Sequence, residues 1–160
     1  MIRRAENKDI PAINRLLRQV LDIHAAGRPD IFRSGVKKYT DSELEALISD
    51  ERTPIFVNIR EGELVGYAFC IYRETRDNNI LKDSKVLYID DLCVDETCRG
   101  KHIGRELYDF VLTQARKEAC DRVELNVWTL NTAAMGFYER CGMTPQKIMM
   151  EIQIDKEEDK

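Results

Sequence analysis

Val94-Asp95-Glu96-Thr97-Cys98-Arg99-Gly100-Lys101-His102-Ile103-Gly104-Arg105 follows an apolar strand pattern, passes through a basic, glycine-flanked turn and opens into an amphipathic pattern. Ile103, Leu107, Phe110, Val111 and Ala115 recur at helical spacing and predict a helix from about residue 103. The first turn of such a helix leaves backbone N–H groups without internal partners, and its aligned peptide dipoles favour an anion at that end. Gly100 and Gly104, lacking Cβ atoms, let the chain turn tightly against a bulky ligand, while Arg99, Lys101 and Arg105 ring it with positive charge. The run reads as a cradle for a phosphate-bearing ligand. It is neither a Walker loop, which needs four residues between a glycine and Gly-Lys-Ser/Thr, nor the three-glycine dinucleotide fingerprint.

Downstream, Val123-Glu124-Leu125-Asn126-Val127-Trp128 alternates as a strand, and Asn131-Thr132-Ala133-Ala134-Met135-Gly136-Phe137-Tyr138-Glu139-Arg140-Cys141-Gly142-Met143 follows. Asn131 is placed to cap a short helix and Gly142 to stop it. Between them, Ala134, Phe137 and Tyr138 share one face by i+3 and i+4 spacing.

Arg99-x-x-His102-x-Gly104 resembles the R/Q-x-x-G-x-G/A signature of the GNAT superfamily of N-acetyltransferases, with His102 in place of the middle glycine. The Asn131–Met143 segment resembles the second signature of that superfamily, N-x-x-A-x-x-F-Y-E-x-x-G-F, with Met143 at the final aromatic position. The resemblance covers roughly residues 54 to 152. It implies acetyl-CoA as acetyl donor, its pyrophosphate held by Arg99, Gly100, Lys101, His102, Ile103, Gly104 and Arg105. The backbone of Leu92, Cys93 and Val94 should meet the pantetheine arm as an added strand would, one N–H polarising the thioester carbonyl. Asn131, Ala134, Phe137 and Tyr138 complete the implied donor site. Tyr138 is the implied acid that protonates the departing thiolate. Transfer is expected to be direct, with Cys93 a buried thiol rather than an acyl carrier.

The strand Val86-Leu87-Tyr88-Ile89-Asp90-Asp91-Leu92-Cys93-Val94 is apolar at both alternating sets of positions, as in a central strand covered on both faces, yet two carboxylates interrupt it. Buried carboxylates are costly unless paired or used. Successive side chains point oppositely, so Asp90 and Asp91 should enter different environments unless a bulge redirects one. The chemistry has a use for a base: an alkyl ammonium of pKa about 10.4 is neutral in about one molecule in 2,500 at pH 7, a cost of about 4.6 kcal/mol. Tyr-Ile-Asp-Asp-Leu-Cys-Val also resembles the Tyr-Leu-Glu-Asp strand of the diamine acetyltransferases, whose first acidic residue is the proposed base. That resemblance makes Asp90 the candidate base, one methylene shorter than Glu, with a water or Asp91 as the other routes.

Outside these segments, Ile2-Arg3-Arg4-Ala5 reads as an edge strand, and Ile10, Ile13, Leu16, Leu17, Val20 and Leu21 as one face of a helix. A second short helix begins at Asp41-Ser42-Glu43-Leu44 with Leu44, Leu47 and Ile48 inward. Strands follow at Ile55 to Arg60 and Leu64 to Tyr72, joined through Glu61-Gly62-Glu63 as a hairpin. From Val86 onward the order is strand, helix, strand, helix, strand. The expected fold is GNAT-like α/β: a mixed, mostly antiparallel central sheet with a parallel pair at the acetyl-CoA site, flanked by helices. Residues 1–154 are expected to form one acetyltransferase domain and Asp155 to Lys160 a charged tail.

The chain has 160 residues, 43% apolar and 34% charged, an ordinary balance for one soluble domain. No apolar run approaches the roughly 20 residues of a membrane span and no signal-peptide pattern opens the chain, so a cytoplasmic protein without membrane partners is expected. A net charge of −4 argues against a nucleic-acid partner. Five cysteines without a C-x-x-C pair, and only His24 and His102, give no zinc spacing, so no metal is expected. The acceptor site is expected from the N-terminal segment around His24 to Phe32 and the loop Arg73 to Lys85. The acceptor reads as a small-molecule primary amine; a peptide or protein N-terminus or lysine is the alternative, and a non-catalytic acyl-CoA-binding module a third. A homodimer is left open.

Overall fold

In the computed structural model, which describes residues 1–154, the chain divides into two compact units, Met1–Asn126 and Val127 onward. The first holds a five-stranded sheet in the order β1 (Ile2–Arg4), β2 (Ile55–Arg60), β3 (Glu63–Thr75), β4 (Ser84–Val94), β5 (Arg122–Leu125). The first three pairings are antiparallel and β4–β5 is parallel, as expected from the order of elements.

Helices α1 (Ile10–Gly27) and α2 (Asp41–Ser49) cover one face of the sheet, and α3 (Ile103–Lys117) packs on it through Leu107 and Ile103. Strand alternation sorts the core. Ile55 and Val57 join Ile13, Leu16, Leu17, Leu44, Tyr67 and Phe69 under α1 and α2, whereas Phe56 sets its ring against Phe110 of α3, 5.1 Å between centroids. Thr40 closes a capping box at the start of α2: it accepts from the Glu43 N–H while Glu43 accepts from the Thr40 N–H.

Three sequence expectations need correction. The segment Arg73 to Lys85 is a loop only over 76–83, because β3 and β4 pair out to Thr75 and Ser84 and Arg73 lies 3.5 Å over the Tyr88 ring. The strand expected over Val123–Trp128 stops at Leu125. Its last pair is Ile89↔Leu125, and immediately beyond it β4 bulges away, leaving 126–128 no ladder to join. Among the described residues no strand follows the last helix: 144–154 carry alternating Ile148, Met150, Ile152 and Ile154, all exposed, but an alternating pattern becomes a strand only with a hydrogen-bonded neighbour. The expected tail, 155–160, lies outside the described residues.

In the second unit, α4 (Thr132–Arg140) begins where the Asn131 side chain accepts from the Ala134 N–H at 3.1 Å. It ends in a left-handed turn at Gly142, φ +91°, with the Met143 N–H on the Tyr138 carbonyl and the Gly142 N–H on that of Glu139.

Candidate active site

The site in the first unit is built on an irregularity of β4. Phe69 pairs with Asp91 and Cys70 with Ile89, so Asp90 is an extra residue without a partner on β3, a β-bulge. The bulge turns both carboxylates toward one ammonium: Lys38 Nζ lies 3.4 Å from Asp90 Oδ2 and 3.7 Å from Asp91 Oδ2. It also ends the β4–β5 ladder, so from Asp90 to Val94 the edge of β4 away from β3 has no strand against it among the described residues. An extended ligand arm could hydrogen-bond there as a strand does.

The two acids differ. Asp90 is 32% exposed at its side chain and Asp91 only 10%. Burial pushes the Asp91 carboxyl above the usual carboxylate range, against the pull of Lys38 and of the Tyr67 phenol, which donates to Oδ2 at 3.0 Å. Lys38 loses hydration too, but the charges of Asp91, Tyr39 and Asp90 outweigh this and raise its affinity for its proton. Burial pushes the Tyr67 and Tyr39 phenols up. Aromatic rings wall this cluster: Tyr67 meets Phe69 edge-on at 5.0 Å, and Tyr39 stacks on Phe69 at 6.0 Å. His24, near the end of α1, feels the charges of Asp91 and Lys38, is lowered in pKa chiefly by burial, and contacts the Phe32 ring at 5.0 Å. Of the N-terminal segment expected at the acceptor, His24 lies near enough to feel the charge of Asp91.

Beyond the open edge the chain enters the basic turn. Asp95, buried, accepts from the Thr97 N–H at 3.0 Å and forms an ion pair with Arg15 of α1, which holds its carboxyl down to about 2. Gly100 (φ +78°) and His102 (φ 60°, ψ 8°) are both left-handed, and no side chain caps the start of α3. A left-handed backbone at 102 explains the family's glycine there; His is among the few other residues that tolerate it, and its side chain is exposed. The first N–H groups of α3 thus have no side-chain cap, and the flanking Arg99, Lys101 and Arg105 are all exposed, with Arg105 also on Asp109 at 2.9 Å. A Cβ built at Gly100 meets nothing within 4 Å, leaving room for a diphosphate. Gly104 sits in the first turn. Gly66 sets the height of this platform: a Cβ there would stand 2.9 Å from the Cys93 carbonyl oxygen and 3.0 Å from Leu107 Cδ1. Ile103 is buried and anchors the turn. These residues fit a thioester donor with a pyrophosphate and an extended amide arm.

Leu92 and Val94 lie half-buried on β4. Cys93 is buried with its thiol pushed up to about 12 by burial, so it is held as a thiol and not as a nucleophilic thiolate. In the second unit α4 puts Ala134, Phe137 and Tyr138 half-buried, Phe137 and Tyr138 ring to ring at 5.1 Å. The structure thus brings Asp90 and Asp91 together with Lys38, Tyr39 and Tyr67, which the sequence did not single out. Lys38 and Tyr39 sit in an irregular connection and reach the bulge only through the fold; the one local signal was an interior strand tyrosine, Tyr67.

Comparison with known proteins adds the lineage. The family described as acetyltransferase (GNAT) matches residues 17–143. A point mutant of the BH1408 protein from Bacillus halodurans, known by crystal structure, superposes with a TM-score of 0.93 at 33% identity, covering 96% of this chain and 99% of that one. Glucosamine 6-phosphate N-acetyltransferase of Arabidopsis thaliana is 32% identical over 71 residues, 44% of this chain and 46% of that protein. N-alpha-acetyltransferase 30 of Saccharomyces cerevisiae is 30% identical over 69 residues, 43% of this chain and 39% of that protein. The matches span less than half the length of these two curated relatives. Because the family match takes in the acid pair, the basic turn and α4 together, the chain belongs to the GNAT family of acetyltransferases, whose donor is acetyl-CoA.

Proposed function

We propose that this acetyltransferase moves the acetyl group of acetyl-CoA directly to a primary amine of a small molecule, and that the Asp90–Asp91 pair receives that amine as its ammonium. One observation carries the reading: the bulge at Asp90 aims two carboxylates at a single ammonium beside the open edge of β4. The Lys38 ammonium beside the pair is a cation of the kind these carboxylates would receive, which supports the reading. Acetyl-CoA, when bound, supplies the activated acyl group. Arg99, Gly100, Lys101, His102, Ile103, Gly104 and Arg105 hold its pyrophosphate, and the backbone of Leu92, Cys93 and Val94 orients the thioester. Asp90, the more exposed acid, meets the incoming cation; Asp91, with its raised proton affinity, takes the proton that the amine must lose. Tyr138 protonates the leaving thiolate, an assignment supported by its motif position, with Asn131, Ala134 and Phe137 serving the donor. A peptide or protein amine is the second reading, favoured by the likeness to N-alpha-acetyltransferase 30. A third reading, an acyl-CoA-binding module without turnover, has no positive support.

The deciding experiment incubates the protein with acetyl-CoA and separate pools of polyamines, amino acids, aminosugars, aminoglycosides and peptides, reading thiol release and product mass. Acetylated small amines support the reading, acetylated peptides replace it with the second, and donor binding without thiol release in any pool overturns both.

A further inference from the structure

Lys38 is one of two neighbouring lysines in the irregular chain between α1 and α2, and their settings differ. Lys37 is 58% exposed and pairs with Asp41 at 3.5 Å. Lys38 reaches the acid pair, with its Nζ also 5.3 Å from the centre of the Tyr39 ring. If the acid pair receives the acceptor's nitrogen, as the proposed function holds, then Lys38 Nζ already occupies that place. We propose that Lys38 is itself an acetyl acceptor, taking one acetyl group from acetyl-CoA when no amine substrate is bound.

The step balances with groups already in place. Lys38 Nζ passes a proton to the Asp91 carboxylate, and its freed lone pair attacks the thioester carbonyl carbon. The N–C bond forms, the C–S bond breaks, and the bonding pair leaves on sulfur as the CoA thiolate, which takes up the second proton that the nitrogen sheds as it becomes an amide. An ion-paired ammonium yields its proton reluctantly, so the reaction is slow beside intermolecular turnover, and it stops at one acetyl group per chain. The product amide is neutral. Once Asp91 has passed its proton to water, Asp90 and Asp91 are left without the Lys38 counter-ion, so the modified enzyme takes a cationic acceptor without first displacing Lys38.

The test incubates the full chain with acetyl-CoA and no amine, then measures acetylation peptide by peptide. Lys37 is the internal standard, since direct chemical acetylation favours the more exposed of the two amines. The expected result is Lys38 modified about tenfold or more above Lys37, because a tethered amine acts at high effective concentration, with the excess lost in denaturant and suppressed by an amine that the enzyme turns over. Equal modification of the two lysines, or an unmodified Lys38 in protein that acetylates added amines, overturns the proposal alone. Absence of both Lys38 acetylation and amine turnover overturns the acetyl-transfer reading beneath it.

Discussion

A carboxylate removes a proton from an ammonium only as far as their proton affinities allow, and burial narrows that gap at Asp91. Asp91→Asn should therefore lower kcat/KM at pH 7 about 100-fold, the usual scale of a lost general base. In both Asp91→Asn and Asp90→Asn, activity should need higher pH, because the amine must then shed its proton to water. Thiol-release rates between pH 5 and pH 10, on a scale set by the amine's own pKa of about 10.4, make the comparison. Profiles unchanged in both variants would remove the pair from proton transfer. The sequence exposed these two acids as an anomaly in an apolar strand but could not say that both face one way, since the bulge depends on pairing with Phe69 and Cys70. His102 was legible as a departure from the motif, and its left-handed φ of 60° shows what the departure costs. His102→Val should destabilise the fold by about 1–2 kcal/mol, and His102→Gly should not, as read by thermal melting. Equal melting of the two variants would mean the turn relaxes.

Elements are where the sequence read best, because their patterns are local. The stripe of α3, the Asn131 cap and the hairpin at Glu61-Gly62 all stand, the last with both turn residues at positive φ. Ends that depend on a neighbour were misread: β5 stops early for want of β4, and β3 and β4 run on because they have each other. The seat of α3 is likewise a matter of contact. Gly66→Ala would push a methyl group into the Cys93 carbonyl and Leu107, costing about 1–3 kcal/mol and lifting the phosphate turn. Its signature is a lower denaturation midpoint together with a raised KM for acetyl-CoA. At α4, Tyr138→Phe keeps the ring packing against Phe137 and deletes only the hydroxyl. The expected outcome is a lower kcat with donor affinity little changed, and undiminished turnover would take Tyr138 out of the acid role.

Across the first unit, Arg15 and Asp95 join residues 80 apart and tie α1 to the entrance of the phosphate turn. No sequence pattern links them; the pair exists because the sheet places the end of β4 beneath α1. Its pH signature follows from the depressed carboxyl. An Asp with an unfolded pKa of about 3.9 and a folded value of about 2 adds stability that is complete above the unfolded value and drains away as pH falls through the folded one. Denaturant unfolding between pH 5 and pH 2 should show this loss in the native protein and a smaller slope in Asp95→Asn; matching slopes would assign the acid sensitivity elsewhere. The surplus residue at position 90 has a consequence of another kind. Side chains on a strand keep alternate phase, and one added residue resets the count, so Asp91 and Cys93 share the side of Tyr67 and Phe69 while Leu87 and Ile89 fall on the opposite side. A one-codon deletion of Asp90 would leave Asp91 opposite Phe69 and Ile89 opposite Cys70 in an unbroken ladder, removing one of the two acids together with the irregularity at which β5 stops. No single amino-acid exchange could undo such a loss, which makes the length of this strand, as much as its chemistry, a condition for the acid pair to exist.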